Sequence, residues 1–169
     1  MLTLCIGMLL LSVDPESGPA VGKAAPKLEV RVVRESAGEP EDVAKPRKEK
    51  PTLYVFIPKA KWDRAMARFV RAVDEGLENV HEGRLIFVWI AKDEHEASAD
   101  YLQRVQKSLN LQRTQWTVFK GEPADVTDWE LNPDVLLTAV VVREGKVLKS
   151  LGYRAINETD APGVLKLLK

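Results

Sequence analysis

Two unbroken apolar runs of strand length, Leu53–Ile57 (LYVFI) and Leu85–Ile90 (LIFVWI), constrain this chain more than any other feature. A strand with one wet face alternates apolar and polar residues, whereas a strand apolar at every position has to be covered on both faces. Between the runs, Trp62, Ala65, Met66, Phe69, Val70, Val73 and Leu77 recur at offsets of 3, 4, 7, 8, 11 and 15, the stripe of an amphipathic helix. Arg64, Arg68, Arg71 and Asp74 are expected on the opposite side of that helix.

The rest of the chain supplies elements of the same kind. Leu28–Val32 alternates apolar and charged residues and predicts a half-exposed strand. Residues 35–51, rich in Pro, Lys and Glu, read as a solvated charged loop. Asp93 followed by Glu96 resembles a capping box, opening a helix through Tyr101, Leu102, Val105 and Leu109. Trp116–Phe119 reads as a short strand. Leu137–Val142 and Val147–Leu151, joined through Glu144-Gly145, predict a β-hairpin. Thr159 is the expected cap of a last helix, with Pro162 in its first turn. Buried strands alternating with amphipathic helices imply a three-layer α/β/α sandwich, its sheet largely parallel at the centre and closed on one side by the hairpin.

At 169 residues the chain has room for one domain with a sizeable core. Its 25 basic residues balance 25 acidic ones. That balance leaves no basic surplus for nucleic acid and no long-range attraction to an acidic membrane. The apolar run Met1–Val13 suits an export signal and is too short for a stable membrane span. Small residues at Gly18-Pro19-Ala20 place the end of that leader at about residue 20, leaving a domain over 21–169 and a periplasmic or extracellular location. The single cysteine, Cys5, lies inside the leader and excludes any intramolecular disulfide.

Motifs for other chemistry are missing. His81 and His95 do not make a metal-ligand spacing, and Asp93, His95 and Glu96 read as a solvated loop and helix cap. The sequence holds neither a Gly-rich phosphate loop nor a serine–histidine arrangement, so no cofactor is expected. Trp89 reads as core, and Trp116 and Trp129 flank a loop across which they could pack.

Three phrases carry a family resemblance. VGKAAPKLEV is similar to a Gly-x-x-Ala-Pro entry to a first strand, KPTLYVFIPKA to a strand and loop entering an active site, and VVVREGKVLKSLGY to a late hairpin with a charged-Gly turn. In that order, with matching elements between them, they resemble the thioredoxin superfamily. The likeness is to its peroxiredoxin-like and exported thiol–disulfide oxidoreductase branch, and it spans Val21 to Lys169.

The resemblance implies where the reactive residues belong. Counted from Phe56 as in thioredoxins, the Cys-x-x-Cys pair falls on Lys61 and Arg64. Counted from Pro58 as in peroxiredoxins, the peroxidatic cysteine falls on Ala65 and its helper threonine on Trp62. Counted back from Gly145, the thioredoxin cis-proline or the peroxiredoxin arginine falls on Leu136 or Leu137. Thiol–disulfide exchange needs a thiolate, and neither register supplies one. Lys61 and Arg64 beside a helix N-terminus read either as exposed cations on a surface turn or as an anion site. Lys61, Trp62, Asp63 and Arg64, with Leu136 and Leu137 opposite, form an expected surface for an apolar, acidic peptide from an extracytoplasmic partner. Two classes of function remain open here. One is a redox-inactive binding or scaffold domain. The other is a thiol-independent enzyme on the same fold, or a redox protein completed by a partner's cysteine.

Overall fold

The computed structural model describes residues 15–34, 38–93 and 95–169. Its strands are β1 (Glu29–Val32), β2 (Glu41–Asp42), β3 (Thr52–Pro58), β4 (Arg84–Ile90), β5 (Thr114–Phe119), β6 (Leu137–Arg143) and β7 (Lys146–Tyr153). Its α-helices are α1 (Arg64–Gly76), α2 (His95–Leu109) and α3 (Ala161–Leu168). The strands form one mixed sheet in the order β2-β1-β5-β4-β3-β6-β7. β3, β4 and β5 are parallel, and antiparallel pairs flank them on both sides.

Because β3, β4 and β5 step in one direction across the sheet, right-handed crossovers put α1 and α2 on the same face. The packing agrees. Leu53, Val55 and Ile57 of β3 and Leu85, Phe87 and Trp89 of β4 share a core with Phe69 and Val73 of α1, Leu102 of α2 and Val164 of α3. The alternate residues Tyr54, Phe56, Ile86 and Val88 face the other way, into a second core. There Trp129 covers Tyr54 and Phe56 with ring centroids 4.8 and 4.9 Å away, and its indole N–H donates to the Lys27 carbonyl. The third layer is thus made of the N-terminal segment and the short 3-10 turns Pro123–Asp125 and Thr127–Trp129. The hairpin turn has Glu144 at φ 52° and Gly145 at φ 73°, the left-handed pair that matches strand twist.

Several expectations change on contact with the fold. Asp74 faces inward: it is 5% exposed, and its carboxylate accepts from the Gln112 and Arg113 amides and the Thr114 hydroxyl. It pins the entry to β5 onto α1. The charged 35–51 stretch contains β2 and a 3-10 turn, Lys45–Arg47, because Val43 and Ala44 between its charges are needed to close the second core. Asp42 fastens that stretch by accepting from the Leu28 and Ala44 amides. Asn157, not Thr159, caps the approach to α3, accepting from the Thr159 amide. Trp116 and Trp129 are both buried but on opposite faces of the sheet, so they do not share a loop. Residues 15–20, assigned above to the leader, are packed into the domain; Ser17 and Pro19 are buried.

Candidate functional site

β3 ends at Pro58, the chain makes one 3-10 turn over Lys59–Lys61, and α1 begins at Arg64. Asp63 sets this junction. Its backbone is extended and its carboxylate accepts from the Met66 amide at 2.9 Å, an N-cap that satisfies one of the open donors of the first turn. The same carboxylate places negative charge on the positive end of the helix. An anion site at this terminus is therefore already filled by the chain's own side chain.

Lys61, the residue at the first thiol position, is not a free surface cation. Its ammonium donates to the carbonyls of Pro133 at 2.6 Å and Val135 at 2.7 Å. These acceptors lie on the segment leading into β6, 72 and 74 residues away in sequence. Lys61 therefore staples the β3–α1 loop to the pre-β6 segment. Arg64 is exposed on the first turn of α1, and Ala65 is half-buried.

Trp62 is half-buried and rests on the helix-side core. Its ring meets Phe87 at 5.4 Å and Trp89 at 5.7 Å, both edge-on. Tyr101 of α2 packs on the other part of Trp89, at 5.6 Å, and is 38% exposed. An aromatic ridge thus runs from the junction to α2. Leu136 is half-buried, and its amide donates to the Tyr153 carbonyl. Leu137 is 0% exposed and belongs to the helix-side core. Its place on the expected surface is withdrawn, because alternation along β6 sends it inward. The structure brings together Lys61, Trp62, Asp63, Arg64, Ala65 and the segment up to Leu136, and removes Leu137 from them.

Beside the junction, at the carboxyl ends of the three parallel strands, lies a groove of about 550 Å³ bordered by Pro58, Ala60, Ile90, Ala91 and Pro123. Lys92 and Glu122 pair at 3.1 Å on its rim. The hydrogen bond that Lys92 donates to Glu122, then the charge of that carboxylate, raises the Lys92 pKa. Among the described residues no group of three His, Cys, Asp or Glu side chains converges as metal ligands, and no helix is long and apolar enough to cross a membrane.

Sequence reasoning missed the partners of Lys61 and the residues that hold them. The Asn132-Pro133-Asp134 stretch did carry a turn signature, realised by the Asp134 amide donating to the Asn132 side-chain carbonyl. Nothing local could connect that turn to Lys61.

No family model and no curated protein matches the sequence. Solved structures do. A putative protein disulfide isomerase from Bacteroides thetaiotaomicron is 16% identical, with 89% of each chain covered and a TM-score of 0.63. A peroxiredoxin-like protein from Aquifex aeolicus is 14% identical over 88% of this chain and 87% of that one, with a TM-score of 0.59. A secreted Mycobacterium tuberculosis disulfide oxidoreductase, homologous to E. coli DsbE, is 13% identical over 83% of this chain and 95% of that one, with a TM-score of 0.58. Strand order, the β3–α1 junction and these neighbours agree: the chain has the thioredoxin-like fold shared by peroxiredoxin-like proteins and thiol–disulfide oxidoreductases, with Lys61 and Arg64 where the reactive cysteine pair is expected.

Proposed function

We propose that this chain is a redox-inactive thioredoxin-like binding domain of an exported protein, whose degenerate active-site end holds an extended, apolar and acidic peptide of a partner. The observation that carries the reading is the Lys61 staple. A side chain that cannot form a thiolate occupies the thiol position and is committed to two backbone carbonyls. Cys5, the one cysteine, lies outside the described residues and before the domain. Trp62, half-buried on Phe87 and Trp89 and two residues from the exposed Arg64, offers a rigid ring at the surface, the kind of anchor that dominates binding energy in protein interfaces. Export is supported by the apolar Met1–Val13 run and by neighbours that are themselves secreted, including a thiol-disulfide isomerase from Corynebacterium glutamicum.

The test is in two parts. The domain starting at Pro15 should neither reduce insulin disulfides nor consume peroxide above a buffer control, since no thiol is present to form a mixed disulfide or a sulfenic acid. A short labelled peptide of alternating leucine and glutamate should bind it, with affinity lost on Trp62→Ala. Turnover that survives repurification would refute the inactive reading, and equal affinity of the two proteins would refute the surface.

A further inference from the structure

We infer that Ser17 is a positioning residue of this surface, acting from the N-terminal segment through residues 130–136; the inference rests on the binding reading above. Ser17 is 4% exposed. Its hydroxyl accepts from the Asn132 amide at 2.9 Å and shares a hydrogen bond with the buried hydroxyl of Thr138. Its neighbours hold the same segment, with the Glu16 carbonyl accepting from the Asn132 side-chain amide and the Gly18 amide donating to the Glu130 carbonyl. The fit is close: a Cβ on Gly152 would lie 2.5 Å from the Pro15 carbonyl and 2.9 Å from the Ser17 Cβ.

Asn132 is thereby fixed at three points. Its amide bonds Ser17, its side-chain nitrogen bonds Glu16, and its side-chain oxygen accepts from Asp134. The next residue, Pro133, carries the first carbonyl that Lys61 grips, and Val135 carries the second. Two latches thus act on one short segment from opposite sides, Ser17 before it and Lys61 across it. Both carbonyls must point at one ammonium, which demands a fixed backbone between residues 132 and 136. Losing the Ser17 hydroxyl frees the Asn132 amide and leaves Thr138 buried without its partner, a penalty relieved by local opening of this segment. Lys61 then loses its bidentate geometry, and the segment leading to Leu136 its fixed backbone.

The experiment compares the full chain with Ser17→Ala by side-chain ammonium NMR and backbone amide exchange. The expected result is loss of the protected Lys61 ammonium signal and about tenfold faster exchange of the Leu136 amide, the scale of one lost hydrogen bond. Central-strand amides such as Val55 and Val88 should keep wild-type exchange. Binding couplings are reciprocal, and so is this one: Lys61→Met should speed exchange at Gly18, a readout that survives even if Ser17→Ala fails to fold. Thr138→Ser, which keeps the hydroxyl, should behave as wild type. An unchanged Lys61 signal in Ser17→Ala, or unchanged Gly18 exchange in Lys61→Met, overturns the inference. If these signatures appear but the leucine–glutamate peptide binds neither protein, the positioning role stands and the peptide reading alone falls.

Discussion

Truncating Trp62 separates a binding anchor from a core plug. The ring makes two edge-on contacts, to Phe87 at 5.4 Å and Trp89 at 5.7 Å. Each such pair is worth about 0.5–1.5 kcal/mol beyond its buried area. A fully buried aromatic cut to alanine costs about 3–5 kcal/mol, cavity included. Trp62 is half-buried and leaves a notch open to solvent rather than a closed cavity, so Trp62→Ala should cost about 2 kcal/mol. Urea unfolding measures this as a lower midpoint at unchanged slope. Binding should fall further. Loss of a central aromatic anchor is expected to remove at least ~2 kcal/mol of affinity, more than tenfold in Kd. Phe69→Ala is the matching control, since Phe69 is 0% exposed on α1. It should lose about 3–5 kcal/mol of stability and, while folded, bind as wild type. A Trp62→Ala protein that loses stability on the Phe69→Ala scale yet keeps its peptide affinity would show that the ring only seals the core.

Other perturbations probe the frame around the site. Asp74→Ala strands the Gln112 and Arg113 amides and the buried Thr114 hydroxyl, and should cost about 3 kcal/mol in urea unfolding; Asp74→Asn keeps the shape and should cost less. Burial raises the Tyr54 pKa, so above pH ~10 the unfolded chain releases a proton that the folded one retains. That stabilising contribution is present in full below the unfolded pKa and is lost as pH rises, by up to ~1.4 kcal/mol per unit; Tyr54→Phe should remove this part of the alkaline slope in pH-dependent unfolding. A chain beginning at Val21 lacks Ser17 and its bonds to Asn132 and Thr138, and should melt well below one beginning at Pro15 in a thermal scan. Under the export proposal, processing should accordingly leave Pro15 in place, which N-terminal mass determination checks.

The parts of this fold legible in the sequence are those set by short-range rules. The runs at Leu53–Ile57 and Leu85–Ile90 became β3 and β4 because apolar residues at every position leave no wet face. The stripe from Met66 to Val73 became the buried face of α1, and Glu144-Gly145 became the hairpin turn. The misreadings are long-range or a matter of one residue. Leu136 and Leu137 are equally apolar, and only the register of β6 decides that the second points into the core. Asp74 is adjacent to the apolar stripe, and its three donors come from residues 112–114, which no periodicity within α1 can announce. Gly18-Pro19-Ala20 reads as the end of a leader because its residues are small, yet Ser17 and Pro19 are buried because the sheet face over β6 and β7 needs a cover.

The degenerate site follows the same division. Where α1 starts is a local matter, settled by an extended Asp63 whose carboxylate caps Met66, and that instruction is independent of any thiol. Lys61, where the first cysteine of the pair is expected, reaches the pre-β6 segment with hydrogen bonds to Pro133 and Val135. A lysine there is tolerated because both acceptors are backbone carbonyls, which any sequence in the segment presents; no matching acidic residue had to appear with it. The staple then makes the segment's conformation depend on the N-terminal latch at Ser17 as well, since neither side alone fixes the carbonyls of residues 133 and 135. In this reading the fold has exchanged a reactive pair for a held surface. Stability of the surrounding sheet and order of that surface are separable quantities, the first set by β3, β4 and their helices, the second by two hydrogen-bonding side chains at either edge of one short segment.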